Sequence, residues 1–427
     1  MLKEYPEYKE TGLYWYEKIP CNWKLQKAKF LFNKESRPLK PEYETVTCFR
    51  DGEVTLRKNR RTTGFTESLQ ENGYQGVMPG DLVIHVMDAF AGAAGVSDSE
   101  GKCTPVYNIC TAKIAGINNY FYAYFLRFMA WSGYIVSLSK GIRERSTEFR
   151  FDVFGNQFLP IPPISEQNAI VKYLDYKTKQ IDEFVSAKEK EIVKLEELRC
   201  TLINTAVSRG IDNKNFKPSG MDWLPVIPEK WESINPKGLF ALRKQKALKT
   251  DKQLTASQHH GVIFQEDYMA ITGNRVVVVM KDFDILKHVE AGDFVISMRS
   301  FQGGIEYSEN SGSISSAYVM LKPNLKFVYP KYFKWLFKSN LYITALQGTS
   351  DLVRDGQALR YANFVKVRLI KVPIEEQKAI ADYLDKKTSE IDTLISSIQK
   401  QITLVKELRT KLIADVVTGK IDVREAV

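Results

Sequence analysis

The 427 residues carry 61 Lys and Arg against 51 Asp and Glu, a formal net charge of +10, with 44% hydrophobic and 12% aromatic residues. That length has room for two or three domains with their own cores, and the aromatic content excludes a disordered basic tail. The positive surplus suits a polyanionic partner such as nucleic acid. The five cysteines, Cys21, Cys48, Cys103, Cys110 and Cys200, never fall in CxxC spacing, which argues against a zinc site or disulfide framework and for a reducing compartment.

The first stretch, MLKEYPEYKE, is charged where a signal peptide would be apolar, and no run of about 18 apolar residues follows, so a cytoplasmic location is expected. WYEKIPCNW then sets out Trp15, Pro20 and Trp23, and RKNRR concentrates Arg57, Lys58, Arg60 and Arg61. From Val83 to Ser97, VIHVMDAFAGAAGVS reads as an apolar strand, an acidic residue and a glycine-rich turn, a pattern that could cradle a cofactor such as S-adenosylmethionine. No NPPY-like or DPPY-like tetrapeptide, convincing Pro-Cys nucleophile or GxxxxGK[ST] loop accompanies it. Gly92 and Gly95 are therefore expected to form a structural turn. NNYFYAYFLRFMAW follows as an aromatic helix whose Phe121 and Phe125 are expected in a core rather than on a base-stacking platform. KGIRER, with Lys140, Arg143 and Arg145, precedes FRFDVF at Phe149, read as an aromatic-arginine strand.

PISEQNAIVKYLDYKTKQIDEFVSAKEKEIVKLEELRCTLINTAVSRGID begins at Pro163 and returns 210 residues later, at Pro373, as PIEEQKAIADYLDKKTSEIDTLISSIQKQITLVKELRTKLIADVVTGKID, about half of its roughly fifty positions identical without a gap. In the first copy Ile181, Val185, Ile192, Leu195, Leu198 and Leu202 recur at helical spacing. In the second the stripe is Ile391, Ile395, Ile398, Ile402, Val405, Leu408 and Leu412. Pro163 with Ser165, and Pro373, are start signals; Glu166, Glu375 and Glu376 favour the positive dipole end, and Gly210 and Gly419 suit left-handed caps. A helix of about 40 residues is roughly 60 Å long and, with one narrow apolar stripe, needs a partner. A pseudo-twofold repeat would pair the two copies antiparallel.

After a polar linker, RGIDNKNFKPSGMDW, the first half's order returns: WLPVIPEKW matches WYEKIPCNW, AGDFVISMR matches PGDLVIHVM, and LRYANF matches FRFDVF. Strands are expected in GDLVIHVM, NRVVVVM, GDFVISM and AYVMLK, and a second aromatic helix in PKYFKWLFKSNLY. The counterpart of the glycine-rich segment, VISMRSFQGGIEYSE, keeps the strand and turn but lacks the aspartate. The predicted class is α+β: two α/β globular domains (1–160 and 213–371), a central helical spacer (161–212) and a C-terminal one (372–427).

These motifs closely resemble the specificity subunit of type I restriction-modification systems, over nearly the whole length. WLPVIPEKW, the duplicated Pro-Ile-x-Glu-Gln and the tails KLEELRCTLINTAV and LVKELRTKLIADVV carry the likeness. The resemblance implies a non-catalytic reader of double-stranded DNA, with two target recognition domains on a bipartite asymmetric site and helices that fix the spacing. It further implies two methyltransferase subunits gripping the helices and restriction subunits joining the complex. S-adenosylmethionine, ATP and Mg would reside on those partners. Alternatives are a stand-alone methyltransferase, an orphan or silent cassette, and a helical scaffold that binds no DNA.

Base reading calls for Arg, Lys, Asn and Gln on loops, whereas phosphate contact requires only positive charge. The candidates are Arg57, Lys58, Arg60, Arg61, Lys140, Arg143 and Arg145 in the first half. In the second they are Arg243, Lys244, Lys246, Arg299, Gln302, Arg354 and Gln357. Arg150 and Arg360 match across the repeat and so suit a shared role in fold or backbone contact. His85, His259, His260 and His288 never take metal-ligand spacing, and no metal site is expected.

Overall fold

In the computed structural model, residues 3–64, 71–138, 148–276, 285–298, 300–349 and 360–426 are described. They divide into two compact units, Met1–Lys188 with Gln399–Val427, and Glu189–Ile398. The organising helices are α1 (Asn119–Trp131), α2 (Ile164–Arg209), α3 (Pro330–Lys338) and α4 (Ile374–Val417). Each unit therefore owns the N-terminal half of one long helix and the C-terminal half of the other.

The first unit is built on β1 (Phe32–Lys34), β2 (Val46–Cys48), β3 (Val54–Leu56), β4 (Leu82–His85), β5 (Ala94–Val96) and β6 (Tyr107–Ala112). Four of these form an antiparallel sheet in the order β1-β6-β4-β5, while β2 and β3 make a hairpin. The second unit repeats the plan with β7 (Phe240–Arg243), β8 (Leu254–Ser257), β9 (Gly261–Phe264), β10 (Phe294–Ile296), β11 (Glu306–Tyr307) and β12 (Val319–Pro323). Its sheet runs β7-β12-β10-β11, beside the hairpin of β8 and β9. One topology is thus written twice.

Aromatic side chains fill both cores. Trp23, Phe32, Phe121, Tyr122, Phe125 and Phe154 are fully buried in the first unit, and Trp231, Phe240, Phe294, Tyr332, Phe333 and Phe337 in the second. Phe121 and Phe125 are core residues, as their helical spacing with other aromatics leads one to expect. PKYFKWLFKSNLY is not one helix: Ser339 is extended, closes α3 and caps the next turn by accepting from Tyr342 N–H. FRFDVF and its counterpart are likewise not strands, because Phe151–Gly155 and Tyr361–Lys366 are short helices. A stretch that short does not separate a period of 2 from one of 3.6. Arg150 and Arg360 take the same place, each just before its helix.

The Pro-Ile-x-Glu-Gln motif holds each recognition unit to its long helix. Buried Glu166 accepts from Tyr5 Oη, Asn22 Nδ2 at 3.1 Å and Trp23 Nε1 at 2.7 Å. Its repeat, Glu376, accepts from Asn213 Nδ2 and Trp231 Nε1. Gln167 receives Asn118 N–H at 2.9 Å and donates to the carbonyls of Gly116 and Pro162; Gln377 does the same with Tyr329 N–H and the carbonyls of Phe327 and Val372. The tryptophans that open each half are thus hydrogen-bonded to the helix that ends it. The expected linker belongs to this structure too, for Asn213 reaches Glu376 and Phe216–Pro218 pairs with Val226–Pro228.

The long helices pair antiparallel. Asp182 meets Arg409 at 3.2 Å in the first unit, and Arg199 meets Asp392 at 3.2 Å in the second, the two ion pairs being related by the repeat. Val185, Ile391, Ile398 and Ile402 are buried, and Ile181, Ile192, Leu195, Leu202, Ile395, Val405 and Leu412 partly so. Leu198 and Leu408 correct the predicted stripe: they are 49% and 57% exposed. A straight helix turns its contact face away from any strict sequence spacing, and these two repeat-related positions have rotated out of the seam. Gly210 and Gly419 carry the expected positive φ past the helix ends, 74° and 72°. Among the described residues, no helix is long and apolar enough to cross a membrane.

Candidate nucleic-acid interface

The hairpin of β2 and β3 lies beside β5, Val54 bridging to Ser97, and its tip, Phe49–Glu53, turns at Gly52 with φ 91°. The tip closes onto Gly95, where a Cβ would come within 1.9 Å of the Gly52 carbonyl oxygen. At Gly92, with φ 95°, a Cβ would meet the Arg50 carbonyl at 2.9 Å. The glycine-rich segment therefore makes room for the backbone of the hairpin tip. Asp88, the acidic residue of that segment, pairs with Arg50 at 3.0 Å.

The RKNRR cluster follows directly after β3. Lys58 pairs with Glu44 at 2.5 Å; Arg60 pairs with Asp51 at 2.7 Å and Glu53 at 2.8 Å and lies over the Phe49 ring. Arg57 Nε lies 3.5 Å from Thr47 Oγ1, and Arg61 donates to the carbonyls of Thr63 and Gly64. Exposed pairs of this kind contribute at most about 1 kcal/mol, so an approaching phosphate can replace the carboxylate partner at little cost.

Arg243 is different in kind. Its guanidinium grips buried Asp293 through Nε and Nη2, at 2.5 and 3.0 Å, and that carboxylate also accepts Glu290 N–H. The first unit has the same device, with Arg37 on Asp81 and Met78 N–H bound to the same carboxylate. Arg243 is a framework residue rather than a free reader. The repeated Gly-Asp before β4 and β10 was the available signal, since a buried aspartate in both copies requires a cation in both. Lys244 and Lys246 are exposed beyond β7, and Gln302 is exposed in the turn Ser300–Gly303. Lys140, Arg143, Arg145, Arg299, Arg354 and Gln357 lie outside the described residues.

His259 and His260 are exposed at the tip of the hairpin of β8 and β9. His288 is buried, with Asp251 at 2.8 Å from Nδ1 and Glu290 at 3.0 Å from Nε2. Burial opposes its charged form, but the two carboxylates outweigh that and raise its pKa. No cluster of three or more metal-ligating side chains occurs among the described residues.

Two cations beneath the hairpin tips carried no sequence signal. Tyr124 Oη donates to Asp175 and Trp335 Nε1 to Asp385, which aligns α1 with α3 and sets Arg127 opposite Lys338. Lys338 Nζ donates to Glu306 and to the carbonyls of Gly303 at 2.9 Å and Gln258 at 3.3 Å. Burial raises the Glu306 carboxyl to about 7, with Lys338 pulling the other way. Arg127 lies under Gly52 and against the rings of Tyr124 and Trp131, 5.6 and 5.0 Å from their centroids.

A family profile described as the type I restriction modification DNA specificity domain matches residues 228–404. A putative type I restriction enzyme MjaX specificity subunit of Methanocaldococcus jannaschii is 25% identical over 276 residues, 62% of this chain and 60% of the relative. The chain is related to the specificity subunits of type I restriction-modification systems. A second member from the same organism, the MjaVIII specificity subunit, is 22% identical over 64% of each chain, so the matches span less than two thirds of these relatives. The fold is shared with solved structures of such systems. A chain from a structure on complex assembly and conformational transition of the type I R-M system aligns with TM-score 0.68 at 14% identity, covering 94% of this chain and 98% of that one. The HsdS subunit from Thermoanaerobacter tengcongensis gives 0.53 at 14% identity over the same shares.

Proposed function

We propose that this chain is the DNA-reading subunit of a type I restriction-modification complex. Each unit reads one half of a bipartite, asymmetric site, and α2 and α4 set the distance between the halves. The observation that carries this reading is one sheet topology written twice with different residues at its hairpin tips. Twofold dimers address half-sites about 34 Å apart, one helical turn; here a repeat inside one chain stands in for the dimer, and its diverged tips would read different letters.

The long helices dock two methyltransferase subunits. Phe184 and Leu408 in the first unit, and Leu394 and Leu198 in the second, are exposed and exchange places under the repeat, so each unit presents an equivalent pair of exposed apolar side chains on its long helices. Methyl transfer and cleavage would take place on partner subunits, with S-adenosylmethionine, ATP and Mg bound there, in the cytoplasm. The test is the adenine methylation map of cells expressing the partner methyltransferase with and without this chain. A two-part asymmetric motif that depends on the chain is the expected result. No new motif despite a stable complex would mark a silent cassette, and no complex would favour the scaffold reading.

A further inference from the structure

Among the described residues, the Arg127 guanidinium has no carboxylate in ion-pair range and no hydrogen-bond acceptor, and its Nε is buried without a partner. Asp51, the carboxylate whose charge acts favourably on Arg127, is held by Arg60 at 2.7 Å. Arg409 of α4 adds a second positive charge, and burial together with that charge pulls the Arg127 pKa below its ordinary value. Five N–H donors on a partly buried cation call for an anion.

The second unit provides the contrast. In β10 and β11, Val295 pairs with Glu306, and Glu306 neutralises Lys338. The same register in β4 and β5 pairs Val83 with Gly95, so the position of that carboxylate is occupied by a glycine. A side chain there is excluded by the Gly52 carbonyl. The first unit thus has a cation with a glycine at the register position where the second unit carries the counter-ion.

Resting on the DNA-reading function proposed above, we propose that Arg127 supplies a DNA-phosphate contact beneath the first hairpin tip, a contact for which the second unit's neutralised Lys338 has no equivalent. Cation–π contacts with Tyr124 and Trp131 hold the guanidinium in place, which suits a fixed phosphate better than a mobile lysine would. The contact would add affinity without choosing letters.

The experiment measures binding of the full chain, with its methyltransferase partner, to a duplex carrying its methylated motif and to a scrambled duplex across a salt series. For Arg127→Gln the expected result is about tenfold weaker binding to both duplexes and a salt slope shallower by about 0.9. Arg127→Lys, which keeps the charge, should recover most of that slope. Because no acceptor is left stranded, thermal melting of Arg127→Gln should match the unaltered chain. An unchanged slope in Arg127→Gln, with the unaltered complex holding its site, overturns the contact alone. Failure of the unaltered complex to hold any duplex overturns the reading function and the contact with it. If free inorganic phosphate at millimolar concentration protects the unaltered chain but not Arg127→Gln against thermal melting, and the DNA slope does not move, the site binds free anion only and the DNA contact is refuted.

Discussion

Beneath its hairpin tip the first unit holds a cation with no carboxylate in ion-pair range among the described residues, and the second holds a cation bound to a buried glutamate. The scaffold is the same in both, down to the strand pairing that puts Gly95 and Glu306 at one register position. What differs is whether a backbone carbonyl or a side chain fills the space above the sheet edge. A duplicated fold can therefore keep its core and topology while its charge pattern diverges where the tips meet solvent, and divergence there is what the proposed reading of two different half-sites would use.

The largest effect expected on that comparison comes from Lys338→Met. It strands Glu306 in a buried site and should cost the second unit about 4 kcal/mol near neutral pH, read from denaturant unfolding. The cost should shrink on acidification. Burial raises the Glu306 pKa from 4.5 to about 7, so the fold favours its protonated form over the unfolded chain up to about pH 7, above which the carboxylate pairs with Lys338. Stability from this group is fully present below about 4.5 and is lost as pH rises through 7. Arg127→Met in the first unit should show no comparable loss at any pH.

Next is the buried glutamate of each repeat. Glu166→Ala leaves three donors unpaired, on Tyr5, Asn22 and Trp23, and should cost about 3 kcal/mol; Glu376→Ala leaves two and should cost about 2 kcal/mol. Equal losses would mean that Tyr5 and Asn22 find other partners. Gly95→Ala should cost about 2 kcal/mol by lifting the Phe49–Glu53 tip, seen as faster amide exchange at Phe49 and Gly52. The smallest effect belongs to the helix ion pairs. Reversing Asp182 to Arg should cost roughly 0.5 kcal/mol and be repaired by Arg409→Asp, since both side chains are partly solvated.

The long helices were legible because a 210-residue repeat and a sustained 3.6-residue stripe are non-local patterns that no single loop imitates. The aromatic core was legible for the same reason. Leu198 and Leu408 were misplaced because spacing alone does not reveal how far a long helix turns away from its partner. FRFDVF was read as a strand because six residues are too few to separate the two periods. Arg243 looked like a reader because a cluster of basic residues says nothing about which of them faces a buried aspartate; its counterpart Arg37 lies outside any such cluster. Arg127, isolated among aromatics, gave no sign at all.

The amino-acid sequence by itself determined the duplication, the paired helices and their ends, and the family likeness. Each of these depends on residue type and spacing along the chain, which pattern and propensity record directly. Tertiary structure alone decided which charges are neutralised. The pairing of Val83 with Gly95 and Val295 with Glu306, and the close approach of Gly52, bring together residues far apart in sequence. The electrostatic state of a cation depends on the distance to its counter-ion and on the water excluded around it, and folding sets both.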